Sequence, residues 1–105
     1  MATRIASVAD VPVGDARRFE LDGQWISVAN LGADGFRAVD AVCSHQHAWL
    51  DEGDIDVEDE TIECPLHGST FDLNSGAPTC FPATQPIAVY PVTVEGDDIL
   101  IEVNR

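Results

Sequence analysis

The sequence contains no lysine, one methionine and only five basic residues, all of them arginine. Nineteen acidic residues face those five bases, so the formal net charge is −14 over 105 residues. Nucleic acids and anionic membrane surfaces are poor partners for such a chain, because phosphate binding requires clustered cations. A protein partner with a basic surface is expected instead.

Long apolar runs are also missing. No stretch approaches the roughly 18 apolar residues that a membrane helix needs, and residues 1–10 lack the apolar region of a signal peptide. We therefore expect a cytoplasmic protein with no membrane partner. A chain of this length suffices for one domain, so residues 1–105 are expected to fold around a single modest core.

Short strands are the secondary structure that the sequence favours. No stretch of ten residues keeps a helical apolar period, and turn signals such as Asp22-Gly23 recur about every 8–12 residues, which is typical of an all-β sandwich or small barrel. Loops are predicted at 44–59 and 74–86. Strands are predicted at 4–8, 17–21, 24–30, 36–39, 61–63, 69–73, 88–90, 92–94 and 99–103.

Two cysteine–histidine pairs carry the chemistry. Cys43 and His45 are two residues apart, Cys64 and His67 are three apart, and eighteen residues lie between the pairs. Two cysteines and two histidines fit either a tetrahedral zinc site or a [2Fe–2S] cluster with two cysteines on one iron and two histidines on the other. Spacing alone leaves both open, although one cysteine and one histidine per turn suits a dinuclear centre.

The residues around these pairs resemble the Rieske [2Fe–2S] signature. Residues 64–72 read Cys-Pro-Leu-His-Gly-Ser-Thr-Phe-Asp, and residues 76–86 resemble the proline-containing loop that covers the cluster in that family. The resemblance implies an all-β, Rieske-type two-sheet sandwich or barrel. Two loops within about 41–73 would form the cluster-binding tip, and the proline loop would span about 76–86.

The same resemblance implies a ligand set for one [2Fe–2S] cluster. Cys43 and Cys64 would hold the inner iron, and His45 and His67 the outer iron. Imidazole in place of two thiolates makes the site less negative, which raises its potential above that of plant-type ferredoxins.

Some positions indicate the low end of the Rieske range. High-potential members carry a disulfide beside the ligands and a tyrosine near a ligand sulfur, whereas the corresponding positions here are His47, Leu66 and Phe71. Fewer hydrogen bonds to sulfur disfavour the reduced state, so a potential toward about −150 mV is expected. His47 and Cys80 are interpreted as loop residues near the cluster rather than as ligands.

The function implied is electron transfer, not catalysis. Beyond the expected ligands and His47 no histidine remains for the mononuclear iron site of an oxygenase. The chain resembles the ferredoxin component of aromatic-ring-hydroxylating dioxygenases of the biphenyl, naphthalene or carbazole type. The implied partners are an NAD(P)H-dependent flavoprotein ferredoxin reductase and a terminal oxygenase, and a monomer is expected. Two alternatives stay open: the small Rieske-like subunit of an assimilatory nitrite reductase, and a zinc-stabilised binding module.

Negative charge is concentrated between the two ligand pairs. Eight of the acidic residues lie in 51–63, and no base occurs between Arg37 and Arg105. Because this stretch joins the two pairs in sequence, we expect it to emerge beside the cluster and to steer docking onto basic patches.

Overall fold

The computed structural model describes residues 2–43, 48–65, 68–79 and 85–102. Within those ranges the chain forms ten β-strands and three short 3₁₀ helices, with no α-helix. The all-β fold class is thereby confirmed. In chain order the strands are β1 Ala2–Ser7, β2 Ala16–Leu21, β3 Gln24–Asn30, β4 Phe36–Asp40, β5 Ile55–Asp56, β6 Thr61–Glu63, β7 Thr70–Asp72, β8 Val89–Tyr90, β9 Val92–Glu95 and β10 Asp98–Glu102.

The strands form three antiparallel sheets. Two make the base of the molecule, in the orders β1-β10-β9 and β2-β3-β4-β8, and the third has the order β5-β6-β7. The β2–β3 hairpin turns at Asp22 and Gly23, which have φ values of 53° and 81°. Two consecutive positive φ angles match the right-handed twist of a two-residue hairpin, which is why this dipeptide predicted the turn.

Strands β3 and β4 lie between two groups of buried side chains, because their alternate residues enter different groups. Ile26 and Val28 enter the base core, whereas Ala29 and Leu31 enter the cysteine core. The base core comprises Ala6, Val11, Ile26, Val28, Ala38, Tyr90, Ile99 and Ile101. The cysteine core comprises Ala16, Ala29, Leu31, Val39, Cys43, Ala48, Leu50, Ile62, Cys64, Phe71, Leu73 and Ile87.

The nine predicted strands are found, with ends displaced by at most two residues. The prediction of a continuous loop over 44–59 was wrong within its described part. Leu50–Glu52 is a 3₁₀ helix and Ile55–Asp56 is strand β5. Their apolar residues are isolated among acids, so no periodicity marks them, yet Leu50 is fully buried and Ile55 pairs with Ile62 of β6.

Polar contacts fasten the third sheet to the base. Arg37 of β4 donates from Nε to Asn74 Oδ1 at 2.7 Å, and its Nη2 lies 3.6 Å from Glu60 Oε1. Asn74 Nδ2 donates to the same Glu60 oxygen at 2.7 Å. The segment between β5 and β6 is thus held to the segment after β7 and to the central sheet. Among the described residues, no helix is long and apolar enough to cross a membrane.

Candidate metal centre

The two described cysteines begin two loops that close in the same way. The Cys43 amide donates to the Ala48 carbonyl at 3.0 Å, and the Cys64 amide donates to the Ser69 carbonyl at 2.6 Å. Each bond spans five residues, so four residues lie inside each loop. The two loops therefore have equal length, and in each one a cysteine donates the hydrogen bond that closes the loop.

Sheet pairing continues away from each cysteine. Val42 is bridged to Trp49 beside the first loop, and Glu63 pairs with Thr70 beside the second. Each cysteine therefore stands where an antiparallel pair opens into a loop, which fixes the backbone of the cysteine.

Both thiols are buried in the same core. Cys43 is 4% exposed and Cys64 is 1% exposed, and both belong to the cysteine core. A pair of soft sulfur ligands in one apolar environment fits the inner iron of a [2Fe–2S] cluster. The donor set present thus agrees with the group that the sequence motif implies.

The remaining predicted ligands, His45 and His67, lie outside the described residues, as do His47 and Cys80. Of the predicted site residues, the structure describes the two cysteines and places both in the cysteine core. No group of three possible metal ligands is found within 2–43, 48–65, 68–79 and 85–102.

The described ends of the proline loop are both held by backbone contacts, the first of them on β7. Pro78 is bridged to Phe71, and the Thr79 amide donates to the Thr70 carbonyl at 2.7 Å. At the other end the Ile87 amide donates to the Gly76 carbonyl at 2.9 Å. The start of the loop is thus held on β7, and its far end returns to Gly76 at its own beginning.

Two buried side chains flank this anchor. Phe71 is fully buried in the cysteine core, and Ser69 is fully buried at the end of the Cys64 loop. A phenyl ring has no hydroxyl with which to reach a sulfur, whereas serine has one donor.

An acidic groove borders the Cys64 loop. It has a volume of about 610 Å³, and its lining includes the acidic residues Asp54, Asp56, Glu58 and Glu63 together with Ile55, Val57, Thr61 and Thr70. Among the described residues, none of these four carboxylates forms an ion pair with an arginine. Glu63 and Thr70 pair directly beside the Cys64 loop, so one end of the acidic stretch lies next to one of the two described cysteines.

A cationic side chain stacks on Trp49, close to the described end of the Cys43 loop, and no sequence motif indicated it. The Arg18 guanidinium carbon lies 4.2 Å from the centre of the Trp49 ring, and its Nη1 is 3.3 Å from carboxylate oxygens of both Asp51 and Glu52. Trp49 also makes an edge contact with Trp25, their ring centres 5.6 Å apart. Arg18 lies more than thirty residues away in sequence, so no local motif could reveal this contact.

Comparison with known proteins identifies a family profile and relatives that match the chain. The profile of the Rieske [2Fe–2S] domain matches residues 1–91. The 3-phenylpropionate/cinnamic acid dioxygenase ferredoxin subunit of Shigella flexneri serotype 5b is 45% identical over 95 residues, covering 90% of this chain and 87% of that protein.

Solved structures agree with that match. The ferredoxin of carbazole 1,9a-dioxygenase from Nocardioides aromaticivorans IC177 superposes with a TM-score of 0.90 at 37% identity, covering 96% of both chains. A ferredoxin in complex with the oxygenase of carbazole 1,9a-dioxygenase matches with a TM-score of 0.85 at 31% identity, over 95% of this chain and all of that one. Two proteins described as nitrite reductase small subunits match at 18% and 21% identity with TM-scores of 0.87 and 0.84, which shows the fold alone.

These matches span nearly the whole chain and include both cysteine loops. The Rieske domain explains why the two loops have equal length, why the thiols are buried and why the proline loop is anchored. Its cofactor is a single [2Fe–2S] cluster. A zinc-stabilised module is therefore set aside. The chain belongs to the Rieske [2Fe–2S] domain family.

Proposed function

We propose that this protein carries single electrons from an NAD(P)H-dependent flavoprotein reductase to the Rieske centre of a terminal aromatic-ring-hydroxylating dioxygenase. The observation that carries the proposal is 45% identity to a dioxygenase ferredoxin subunit across both cysteine loops. The electrons balance: a hydride from NAD(P)H gives the flavin two electrons, and two carrier molecules each take one away. The nitrite reductase alternative has support at the level of fold only.

We assign the ligands residue by residue from the motif. Cys43 and Cys64 bind the inner iron, and His45 and His67 bind the outer iron. The burial of both thiols in one core supports the first half of this assignment. When bound, the cluster supplies one reversible electron.

Apolar side chains around the two cysteines keep water away from their thiols. Leu50, Ile62 and Phe71 are all fully buried in the core that holds both cysteines. Since Phe71 offers no hydroxyl to a ligand sulfur, the reduced state gains less hydrogen-bond stabilisation, and we expect a potential toward about −150 mV.

We further propose that residues 1–105 act as one domain, as a monomer in the cytoplasm, and that the acidic groove steers encounter with its partners. Carboxylates without arginine partners among the described residues leave a net negative edge beside the Cys64 loop. A carrier must leave each partner quickly, so its interfaces are expected to be small, below about 1,200 Å².

The ligand assignment is tested by substituting each proposed ligand, with a nearby histidine or cysteine that is not a proposed ligand as the control. His45→Ala and His67→Ala should each lose the Rieske EPR signal of the dithionite-reduced protein, whereas His47→Ala should keep it. Cys80→Ser likewise serves as the control for Cys64→Ser. A Rieske signal retained in His67→Ala, or lost in Cys80→Ser, would contradict the assignment.

The choice of pathway is tested with partners. Reduced protein should transfer its electron to a terminal ring-hydroxylating oxygenase and support turnover together with a flavoprotein reductase and NAD(P)H. Stable co-purification with a large sirohaem protein, without transfer to any oxygenase, would favour the nitrite reductase alternative.

A further inference from the structure

Residues 48–54, called the spacer below, contact the chain beside both cysteines. At its start the Ala48 carbonyl accepts from the Cys43 amide at 3.0 Å. At its end the Asp54 carbonyl accepts from the Glu63 amide at 2.9 Å, immediately before Cys64. The spacer therefore joins the backbone of one cysteine loop to that of the other.

The spacer has a fixed length because its middle is folded and anchored by one buried side chain. Leu50–Glu52 is a 3₁₀ helix, and the Gly53 amide donates to the Leu50 carbonyl at 3.0 Å. Leu50 is fully buried, and its amide donates to the Ala41 carbonyl at 2.7 Å. A closed turn with a buried anchor transmits a displacement at one end to the other instead of absorbing it.

Gly53 is the point of closest approach between the spacer and β6. A Cβ atom on Gly53 would lie 1.6 Å from the Glu63 carbonyl oxygen and 2.8 Å from its carbon, whereas real contacts stay above about 3.0 Å. The backbone angles of Gly53, φ −90° and ψ −172°, are open to any residue. Space, and not conformational freedom, therefore requires glycine here.

The spacer is also anchored from the base. Arg18 of β2 stacks on Trp49 and pairs with Asp51 and Glu52, so one side chain holds three spacer residues. Its guanidinium is planar and presents several donors at once, which a lysine ammonium cannot reproduce.

We propose that Gly53 is a positioning residue for the metal centre: its missing side chain sets how closely the spacer approaches β6, and thereby how Cys43 stands relative to Cys64. This inference rests on the ligation of the cluster by those two cysteines, proposed above. A Cβ at Gly53 pushes on the carbonyl of the residue that precedes Cys64, and the spacer is held at Cys43, so the change is taken up in the geometry of the thiolates. Ligand orientation tunes the potential and electronic structure of a metal centre.

The test compares Gly53→Ala with Gly96→Ala in iron-loaded protein. Gly96 lies in the β9–β10 turn with φ +62°, and a Cβ there would meet no atom within 4 Å. Both variants should lose stability, Gly96→Ala through its positive φ alone. Gly53→Ala should also shift the g values of the reduced protein and its reduction potential, and should lose iron to a chelator several-fold faster. Gly96→Ala should keep the wild-type g values and potential.

If Gly53→Ala does not fold, a second variant tests the same positioning role. Arg18→Lys keeps the charge but loses the stack on Trp49 and the double ion pair, so it loosens the spacer without a clash. It should shift the g values in a smaller but resolvable way. Wild-type g values and potential in folded Gly53→Ala, or in Arg18→Lys where the first variant is not obtained, would overturn the proposal.

These outcomes separate the two levels of inference. A wild-type protein without a Rieske signal, or a Cys64→Ser variant that keeps it, would refute the ligand assignment itself. A normal wild-type signal that is lost in Cys64→Ser but unchanged in Gly53→Ala would refute only the positioning role.

Discussion

Replacing Tyr90 by phenylalanine removes one oxygen from the junction of β4 and β8 and leaves the ring in the base core. The Tyr90 hydroxyl donates to Asp40 Oδ1 at 2.6 Å and accepts from the Gln24 side-chain amide, and the residue is 8% exposed. A hydrogen bond to a charged group contributes about 1.5–3 kcal/mol. Because this one is only partly buried, we expect the lower end, a loss of about 1.5 kcal/mol in the free energy of unfolding and roughly 5–10 °C in Tm.

The same contacts make the stability depend on alkaline pH. Burial, and next the hydrogen bond and negative charge of Asp40, raise the pKa of Tyr90 above its usual value of about 10. A raised phenol pKa means that the folded protein favours the neutral form. Its contribution is complete below about pH 10, where the unfolded tyrosine would ionise, and is lost as pH rises toward the folded pKa.

The assay is clean because Tyr90 is the only tyrosine in the chain. Tyrosinate absorbance followed against pH in the folded protein reports this hydroxyl alone, and thermal unfolding at neutral and alkaline pH gives the stability. Tyr90→Phe should remove both the absorbance change and this source of alkaline destabilisation, and Asp40→Asn should bring the titration back toward the usual pKa. A normal Tyr90 pKa in the wild type, or an unchanged Tm in Tyr90→Phe, would refute the reasoning.

Three further outcomes are expected. Electron transfer to the oxygenase, followed by stopped-flow, should slow as ionic strength rises, because screening acts over about 8 Å at physiological salt. The double variant Asp56→Asn/Glu58→Gln in the acidic groove should make the rate less dependent on salt. An unchanged salt dependence in that variant would contradict electrostatic steering. Phe71→Ala should lower the free energy of unfolding by about 3–5 kcal/mol, measured by denaturant titration, because the ring is fully buried in the cysteine core; a loss below about 1 kcal/mol would mean that the ring is not packed as described. Ser27→Ala should leave stability equal or higher, since the buried Ser27 hydroxyl has no hydrogen-bond partner within the described part of the chain; a clear loss in Tm would contradict this.

Features that depend on neighbouring residues were predictable from the sequence. The Asp22-Gly23 turn has the two positive φ angles that its residue types favour, and the strands on either side pair as expected. The motif beginning at Cys64 predicted the family, because four or five residue types at fixed spacing are far more specific than composition. Burial of Cys43 and Cys64 in one core agrees with that prediction.

Features that depend on distant residues were not predictable. Strand β5 has two residues and a single buried partner, Ile62, so no alternation announces it. The contact of Arg18 with Trp49 joins positions far apart in sequence, and the need for glycine at Gly53 arises only when β6 lies against it. The amino-acid sequence alone does not show which distant residues come into contact when the chain folds.

The division of the buried side chains into two cores bears on how the apoprotein matures. The base core draws on β1, β3, β4, β8 and β10 and contains neither of the two described cysteines, which both belong to the other core. Local stability follows local packing, so segments with separate cores open with separate free energies. Before iron arrives, the base can stay folded and hold the chain that leads from β4 toward the Cys43 loop, so that insertion of the cluster orders only the half that it occupies. Iron loss would then be a local, refillable event rather than global unfolding, and amide exchange in the apoprotein should be fast around β6 and β7 while β3 and β10 stay protected.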